Sequence, residues 1–174
     1  RPGAARRDHA AAAQRLATTN PVISLGGNGR FGLSSSAVPL VLPEPGETFG
    51  AYTLDATALA STPMRARKDA IDALYSQSAE VTLATAFQAQ QRDAFSISER
   101  LGALVKRAPG EAGSSAAIDA AFAPITSGGR ITTPLGRQLY QTAKLIDARG
   151  TVQGDRQIFV AQQGGFDTHG NQIA

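Results

Sequence analysis

Apolar residues return every three or four positions between residues 64 and 106, which is the period of an amphipathic helix. Pro63 suits the first position of a helix whose apolar face carries Met64, Ile71, Leu74 and Tyr75. A second stripe runs from about Ala79 to Lys106, with Val81, Leu83, Ala84, Phe87, Ala94, Ile97, Leu101, Leu104 and Val105. The pattern predicts two helices that pack on each other or on a sheet.

Two shorter helices are predicted in the second half of the chain. One covers Ala116 to Phe122. The other has Pro134 in its first turn, is capped by Thr132 or Thr133, and runs to about Ala148. Its apolar residues form one stripe at three- and four-residue steps: Leu135, Leu139, Ala143 and Ile146.

Short apolar runs predict strands at Val22 to Leu25, at Val38 to Leu42 and from Gln157 onward. The run around Phe159 is apolar on both faces, which is typical of a strand covered on both sides. We therefore expect Ile158 and Val160 to be buried on one face and Phe159 on the other.

The segment from Gly26 to Arg30, with three glycines in its first four positions, has two interpretations. A phosphate-binding loop would lie between a strand and a helix, with a Lys-Ser or Lys-Thr pair or the full spaced-glycine pattern. Because Phe31 to Ser36 continues as strand or loop, a hairpin with Asn28-Gly29 as its turn is favoured.

The order of these elements is that of an α/β fold. A length of 174 residues suits one domain with a sizeable core. We expect residues 1–20 to form a basic N-terminal arm with a short helix. Residues 21–174 are expected to form part of a single α/β domain, mostly helical with a few short strands and truncated at the C-terminus.

Charge and composition narrow the classes of function. The formal net charge is +3, and Arg1, Arg6 and Arg7 account for that excess, so the rest is near neutral and no nucleic-acid partner is predicted. The absence of cysteine excludes disulfides, thiolate metal sites and a cysteine nucleophile. No apolar run approaches the ~18 residues that a membrane span requires.

The residues that carry candidate chemistry are Asp167 and His169, in the segment Gly-Gly-Phe-Asp-Thr-His-Gly that begins at Gly164. In extended backbone, side chains two positions apart face the same side. A carboxylate and an imidazole directed at one point suit zinc, manganese or iron better than calcium or magnesium. The alternative is that both are ordinary turn residues whose side chains hydrogen-bond the local backbone.

This segment, the Ile-Phe-Val run before it and the Pro-Leu-Gly-Arg-Gln-Leu sequence from Pro134 resemble the DUF1501 family of exported bacterial proteins. That family is similar to the superfamily of alkaline phosphatases and sulfatases, which are metal-dependent hydrolases. The weaker match from Pro21 to Gly27 extends the resemblance to most of residues 20–174. The family's twin-arginine signal, its early Gly-Gly-x-Asp-Gly segment and its later Asp-His-Gly motif are not in this sequence, so we expect an internal fragment.

The resemblance implies an incomplete alkaline-phosphatase-like sandwich in which Asp167 and His169 bind a divalent metal ion, zinc or manganese. It further implies a small-molecule phosphate or sulfate ester as substrate and a periplasmic or exported location. The catalytic nucleophile and the other ligands are expected outside these 174 residues, so the fragment alone should be inactive. The alternative is a non-catalytic exported binding or assembly protein that keeps the fold.

Overall fold

The computed structural model describes residues 22–27, 39–47, 49, 58–77, 82–152 and 156–164. Helices and short strands alternate along this part of the chain, so the α/β class with mostly helical content is confirmed. The elements are β1 (Val22–Ser24), β2 (Leu40–Val41), α1 (Thr62–Ser76), α2 (Thr82–Lys106), α3 (Ala116–Phe122), β3 (Thr126–Ser127), β4 (Arg130–Ile131), α4 (Pro134–Asp147), α5 (Arg149–Val152) and β5 (Ile158–Val160). The predicted arm and helix of residues 1–20 lie outside the described residues.

The main sheet is parallel, with the strand order β2-β1-β5. Ile23 of β1 pairs with Leu40 on one side and with Phe159 on the other. Both edges of β1 are therefore occupied by parallel neighbours. The Asn28-Gly29 turn and the Phe31 to Ser36 segment of the predicted hairpin lie outside the described residues. Parallel strands require a crossover, and no local pattern of alternating residues or turn signals reveals which distant segment will pair.

The hydrophobic core lies where β1 meets the second half of α2 and the end of α4. Its fully buried members come from all three regions and from the ends of β2 and α5: Ile23, Leu25, Leu42, Leu101, Val105, Leu145 and Val152. Phe159 of β5 packs against this cluster. The core thus holds the parallel strands, α2 and α4 together in one unit.

Helices α1 and α2 confirm the prediction of two helical segments within residues 64–106. Ser61 caps α1, with its Oγ accepting a hydrogen bond of 3.4 Å from the Met64 N–H. Lys68 of α1 binds Glu99 of α2 at 3.1 Å and joins the two helices. Residues 78–81 between the helices lie outside the description.

The predicted apolar stripe of α2 is only half correct. Leu101 and Val105 are buried, as predicted, whereas Leu83 is 79% exposed and Phe87 is also exposed. The first half of α2 packs on α1, where the Phe87 ring lies 6.3 Å from the Tyr75 ring, and only its second half reaches the core. Helical spacing identifies a face of the helix, but it does not say how much of the helix the rest of the protein covers.

Helix α4 begins as predicted, with Thr133 as its cap. The Thr133 Oγ1 accepts a 3.1 Å hydrogen bond from the Gly136 N–H, and Pro134 occupies the first helical position. The strands β3 and β4 pair in an antiparallel hairpin just before it, through a turn in which Gly128 and Gly129 both have positive φ. This hairpin packs against the first turn of α4, where a Cβ on Gly136 would lie only 2.9 Å from Ile131 Cγ2.

The apolar stripe of α4 is not its buried face. Leu139 is 46% exposed and Ile146 is 54% exposed. The buried positions are instead Gly136, Gln138, Tyr140, Gln141, Lys144 and Leu145. This helix turns a largely polar face inward because, as described below, the buried polar side chains find hydrogen-bonding partners in other segments.

Strand β5 is less buried than predicted. Ile158 is 60% exposed and Val160 is half-buried, and Phe159 is also only half-buried where it packs against the core. The expectation that Ile158 is buried is therefore wrong, because no described element covers the face of β5 on which Ile158 lies.

None of the described helices combines the length and the apolar character needed to cross a bilayer.

Candidate functional site

The carboxyl ends of β1, β2 and β5 meet at one edge of the sheet because the three strands are parallel. The chain leaves β1 at Leu25 and β5 at Ala161 on this edge. Open α/β sheets bind their ligands beyond the carboxyl ends of their strands. A ligand-binding site of this fold is therefore expected at this edge of the sheet.

A cleft of about 570 Å³ opens at this edge. Its walls combine apolar side chains from the strand ends, two glycines, two glutamates and one glutamine: Leu25, Gly26, Gly27, Val41, Leu42, Pro43, Glu44, Glu47, Phe49 and Gln138. An apolar floor with a few polar groups is typical of ligand-binding clefts.

The two glutamates of the cleft differ in their surroundings. The carboxylate of Glu44 forms an ion pair with Arg137, whose Nε lies 2.7 Å away, although the alignment is not that of a hydrogen bond. Arg137 also donates a 3.1 Å hydrogen bond to the Ile131 carbonyl, which ties this pair to the β4 strand. Glu47 is exposed at the rim. The pairing of Glu44 leaves Glu47 as the cleft carboxylate that faces solvent.

Gln138 connects α4 to the segment that follows β5. Its Nε2 donates a 2.9 Å hydrogen bond to the Gln162 carbonyl, and its Oε1 accepts a 2.7 Å hydrogen bond from the Gln162 N–H. Gln138 is 92% buried, since only 8% of it is exposed. One amide side chain thus satisfies both backbone groups of Gln162, in the way that a neighbouring strand would.

Gly26 also lies close to Gln162. A Cβ at this position would lie 2.6 Å from Gln162 Cβ, 3.0 Å from Gln162 N and 3.2 Å from Gln138 Oε1. The ladder between β1 and β5 ends just before it, with a 2.9 Å hydrogen bond from the Leu25 N–H to the Val160 carbonyl. Glycine at position 26 is therefore required for the two strand ends to approach this closely.

The predicted metal ligands Asp167 and His169 lie outside the described residues, which end at Gly164. The structure describes the chain that leads to them as far as the carboxyl edge of the sheet. Within the described ranges, no three His, Cys, Asp or Glu side chains come close enough together to hold a metal ion. A carboxylate with an imidazole is a donor set that fits zinc or manganese, so the pair suits the group that the family resemblance implies.

No protein-family model matches this chain, and no curated protein or solved structure is significantly similar to it.

A second polar cluster lies under α4, away from the cleft. Tyr140 donates a 2.7 Å hydrogen bond to Asp119 Oδ1, and Asp119 Oδ2 accepts from the Ser114 hydroxyl and from the Gly110 N–H. Burial acts to raise the pKa of Asp119, but the three hydrogen bonds together with the nearby Lys144 charge outweigh it and lower the pKa. Burial and the bond to Asp119 raise the pKa of the Tyr140 phenol. The cluster holds α3 and the loop before it against α4.

Lys144 is the buried cation of this cluster. Its ammonium donates hydrogen bonds of 3.2 Å to the Val105 carbonyl and 2.6 Å to the Arg107 carbonyl, at the C-terminal end of α2. Burial, reinforced by the positive charge of Arg107, lowers the pKa of Lys144 to about 8. The ammonium is well placed to satisfy the last carbonyls of a helix and to complement the negative end of its dipole.

The sequence gives no direct signal for Gln138, Lys144 or Asp119. Asp119 has two local partners, Ser114 and Gly110, but the bonds that link these three side chains to other elements span between 21 and 39 positions along the chain. No spacing rule for helices or strands relates residues that far apart. The one indirect signal is the presence of two glutamines and a lysine at helical spacing, at positions 138, 141 and 144.

Proposed function

We propose that this chain supplies a metal-binding pair, Asp167 and His169, to an exported metal-dependent hydrolase of phosphate or sulfate esters. The observation that supports the proposal is the course of β5, which ends at the carboxyl edge of a parallel sheet beside the 570 Å³ cleft. Gly164, the last described residue, is three positions before Asp167. In the sequence, the pair therefore comes a few positions after the strand end at the sheet edge where α/β folds bind ligands.

In this proposal the two side chains act as ligands and the cleft receives the ester. Asp167 supplies a charged oxygen and His169 a neutral imidazole nitrogen. A zinc or manganese ion bound there would polarise the ester oxygen and lower the pKa of an attacking water molecule. The apolar cleft wall formed by Leu25, Leu42 and Phe49 would contact the organic part of the ester. Two ligands are fewer than the three that catalytic zinc sites use, so a complete site needs further donors.

The proposal predicts that Asp167→Asn and His169→Ala reduce metal content and hydrolysis together. Each change removes a ligand, which should weaken metal affinity by at least the ~10–100-fold that loss of a supporting residue around a metal causes. The measurement is metal stoichiometry by mass spectrometry after dialysis, together with hydrolysis of p-nitrophenyl phosphate and p-nitrophenyl sulfate. The protein is used at full length, with the sequence that naturally flanks these residues.

Asp147→Asn is the matched control, because it makes the same chemical change at an exposed carboxylate at the end of α4. It should leave metal content and hydrolysis unchanged. If both site variants keep the wild-type stoichiometry, Asp167 and His169 are turn residues and the hydrolase proposal is rejected. If the pair binds metal but neither ester is hydrolysed in any variant, the function is that of a non-catalytic binding protein with this fold.

A further inference from the structure

We propose that a second cavity of this fold binds the phosphate group of a small ligand. The cavity has a volume of about 410 Å³, within the range of small-molecule sites, and we call it the hairpin cavity. It lies between the loop after β2, the loop after α2, the β3–β4 hairpin and α4. No described residue lines both this cavity and the 570 Å³ cleft. The inference is therefore independent of the proposed function.

Arg130 is an unpaired cation on the wall of the hairpin cavity. It lies in β4 and is exposed, and its side chain forms neither a hydrogen bond nor an ion pair within the described part of the chain. The antiparallel pairing of Arg130 with Ser127 holds its backbone in place. A guanidinium stays charged at physiological pH and presents a planar fork of N–H donors that fits phosphate and carboxylate oxygens.

Arg137 adds a second guanidinium to the same wall, and other groups fix its position. Its Nη1 donates hydrogen bonds of 3.1 Å to the Ile131 carbonyl and 3.4 Å to the Thr132 carbonyl. Its Nε lies 2.7 Å from the Glu44 carboxylate. Its Nη2 has no hydrogen-bond acceptor among the described residues. One N–H₂ group of an immobilised guanidinium is thus left for a ligand, next to the strand that carries Arg130.

The charge of the described wall favours an anion. Two arginines and one glutamate, Glu111, line the cavity, which leaves a net charge of +1. One oxygen of Glu111 is already engaged, because its Oε2 accepts a 2.9 Å hydrogen bond from the Ala108 N–H. Glu44, the ion-pair partner of Arg137, lines the 570 Å³ cleft and not this cavity.

The hairpin turn supplies backbone donors that favour phosphate over carboxylate. Gly128 and Gly129 line the cavity, have φ values of 56° and 73°, and would each accept a Cβ with no described atom within 4 Å. Neither N–H is hydrogen-bonded to another described residue. Successive backbone N–H groups in a turn are a known anion-binding arrangement. A phosphate group has three acceptor oxygens for these donors and the two arginines, whereas a carboxylate has two.

The test is calorimetric titration of the full-length protein with inorganic phosphate. The protein is first dialysed against EDTA and then against buffer alone, so that phosphate cannot bind through a metal ion at Asp167 and His169. Wild type should show saturable binding. Arg130→Gln should weaken it by about tenfold, because a charge-assisted hydrogen bond is lost. Arg130→Lys keeps the charge but not the fork and should fall between the two.

Arg67→Gln is the matched control. It makes the same change in net charge at an exposed arginine of α1, which does not line the cavity. Its phosphate affinity should stay within about twofold of wild type, as expected for a distant, screened charge. Glu111→Gln removes the negative charge of the wall and should tighten phosphate binding by about two- to fivefold. Urea denaturation of Arg130→Gln should give the wild-type midpoint, since this side chain has no described partner to lose.

Two results would overturn the proposal. One is equal phosphate affinity in Arg130→Gln and Arg67→Gln, and the other is the lack of saturable phosphate binding by wild type. Succinate is titrated in the same way, and tighter binding of succinate than of phosphate would reject phosphate in favour of a carboxylate ligand. Glycerol 1-phosphate, titrated in parallel, separates the two sources of the group: tighter binding than inorganic phosphate assigns the cavity to a phosphate monoester, and weaker binding assigns it to free phosphate.

Discussion

Gly26→Ala should destabilise the protein by about 3 kcal/mol, at the upper end of the range for forcing an extra carbon into a packed interior. The added Cβ would lie 2.6 Å from Gln162 Cβ and 3.0 Å from Gln162 N. Neither atom is at the free end of a side chain, so the backbone of β1 or β5 has to move. That movement would separate the strand ends and also disturb the Gln138 contact.

The measurement is the free energy of unfolding from urea denaturation, with Gly164→Ala as the matched control. Gly164 follows β5, and among the described residues a Cβ there would meet no atom within 4 Å. Its φ is not in the left-handed region. Gly164→Ala should therefore change stability by less than about 1 kcal/mol, in the stabilising direction, since alanine restricts the unfolded chain. Equal stability of the two variants would mean that the strand ends are not in close contact.

The free energy of unfolding should rise with pH between about 8 and 10, because the pKa of Lys144 is lowered in the folded protein. Burial lowers the pKa of this lysine from 10.5 to about 8. Below pH 8 the ammonium is charged in both the folded and the unfolded chain. Burial of this charge then lowers the free energy of unfolding by its full amount. Between pH 8 and 10.5 the unfolded chain binds a proton that the folded protein has released, so raising the pH favours the folded state.

The expected size of this effect is about 2 kcal/mol between pH 7 and 9.5, from the linkage between pKa and unfolding. The Tyr140 phenol acts in the opposite direction, because its raised pKa makes stability fall once the unfolded phenol ionises near pH 10. The comparison is therefore kept below pH 10. Urea denaturation at several pH values gives the slope.

Lys144→Met should abolish this rise, whatever its effect on stability at neutral pH, because methionine has no charge to bury. Lys106→Met is the control, since Lys106 is exposed at the end of α2. It should leave the pH dependence unchanged. A rise of equal size in Lys144→Met would show that other groups cause it, and the arrangement around the Val105 and Arg107 carbonyls would then have no measurable linkage to pH.

Local sequence is sufficient to predict the helices α1 to α4, and it also marks where α1 and α4 begin. Pro63 and the threonine before Pro134 mark real helix starts, because capping depends on residues within three or four positions of each other. The apolar runs at Val22, near Leu40 and at Ile158 were found for the same reason, since a strand of three residues is set by its own side chains and its bounding turns.

The buried face of α4 was not predictable in this way. A pattern of apolar and polar positions assigns Gln138 and Lys144 to the solvent and Leu139 and Ile146 to the core, which is the reverse of what the structure has. An amide or an ammonium is buried without a large free-energy cost only where the folded chain supplies hydrogen-bonding partners for it. Those partners are carbonyls and N–H groups of Val105, Arg107 and Gln162, and only the folded chain brings them to the helix.

The sequence by itself determined the α/β class, the helices α1 to α4 and the strands β1, β2 and β5. It also named the candidate ligands Asp167 and His169, which stay a prediction because they lie beyond the described residues. Tertiary structure alone decided the parallel order β2-β1-β5 and the cleft at its carboxyl edge. It also decided the hydrogen bonds between Gln138 and Gln162 and the close approach of Gly26 to Gln162. The physical reason is one of range. Helix periodicity, capping and turn chemistry act over a few residues, whereas strand pairing and the satisfaction of buried polar groups join segments that are far apart in the chain and meet only when it folds.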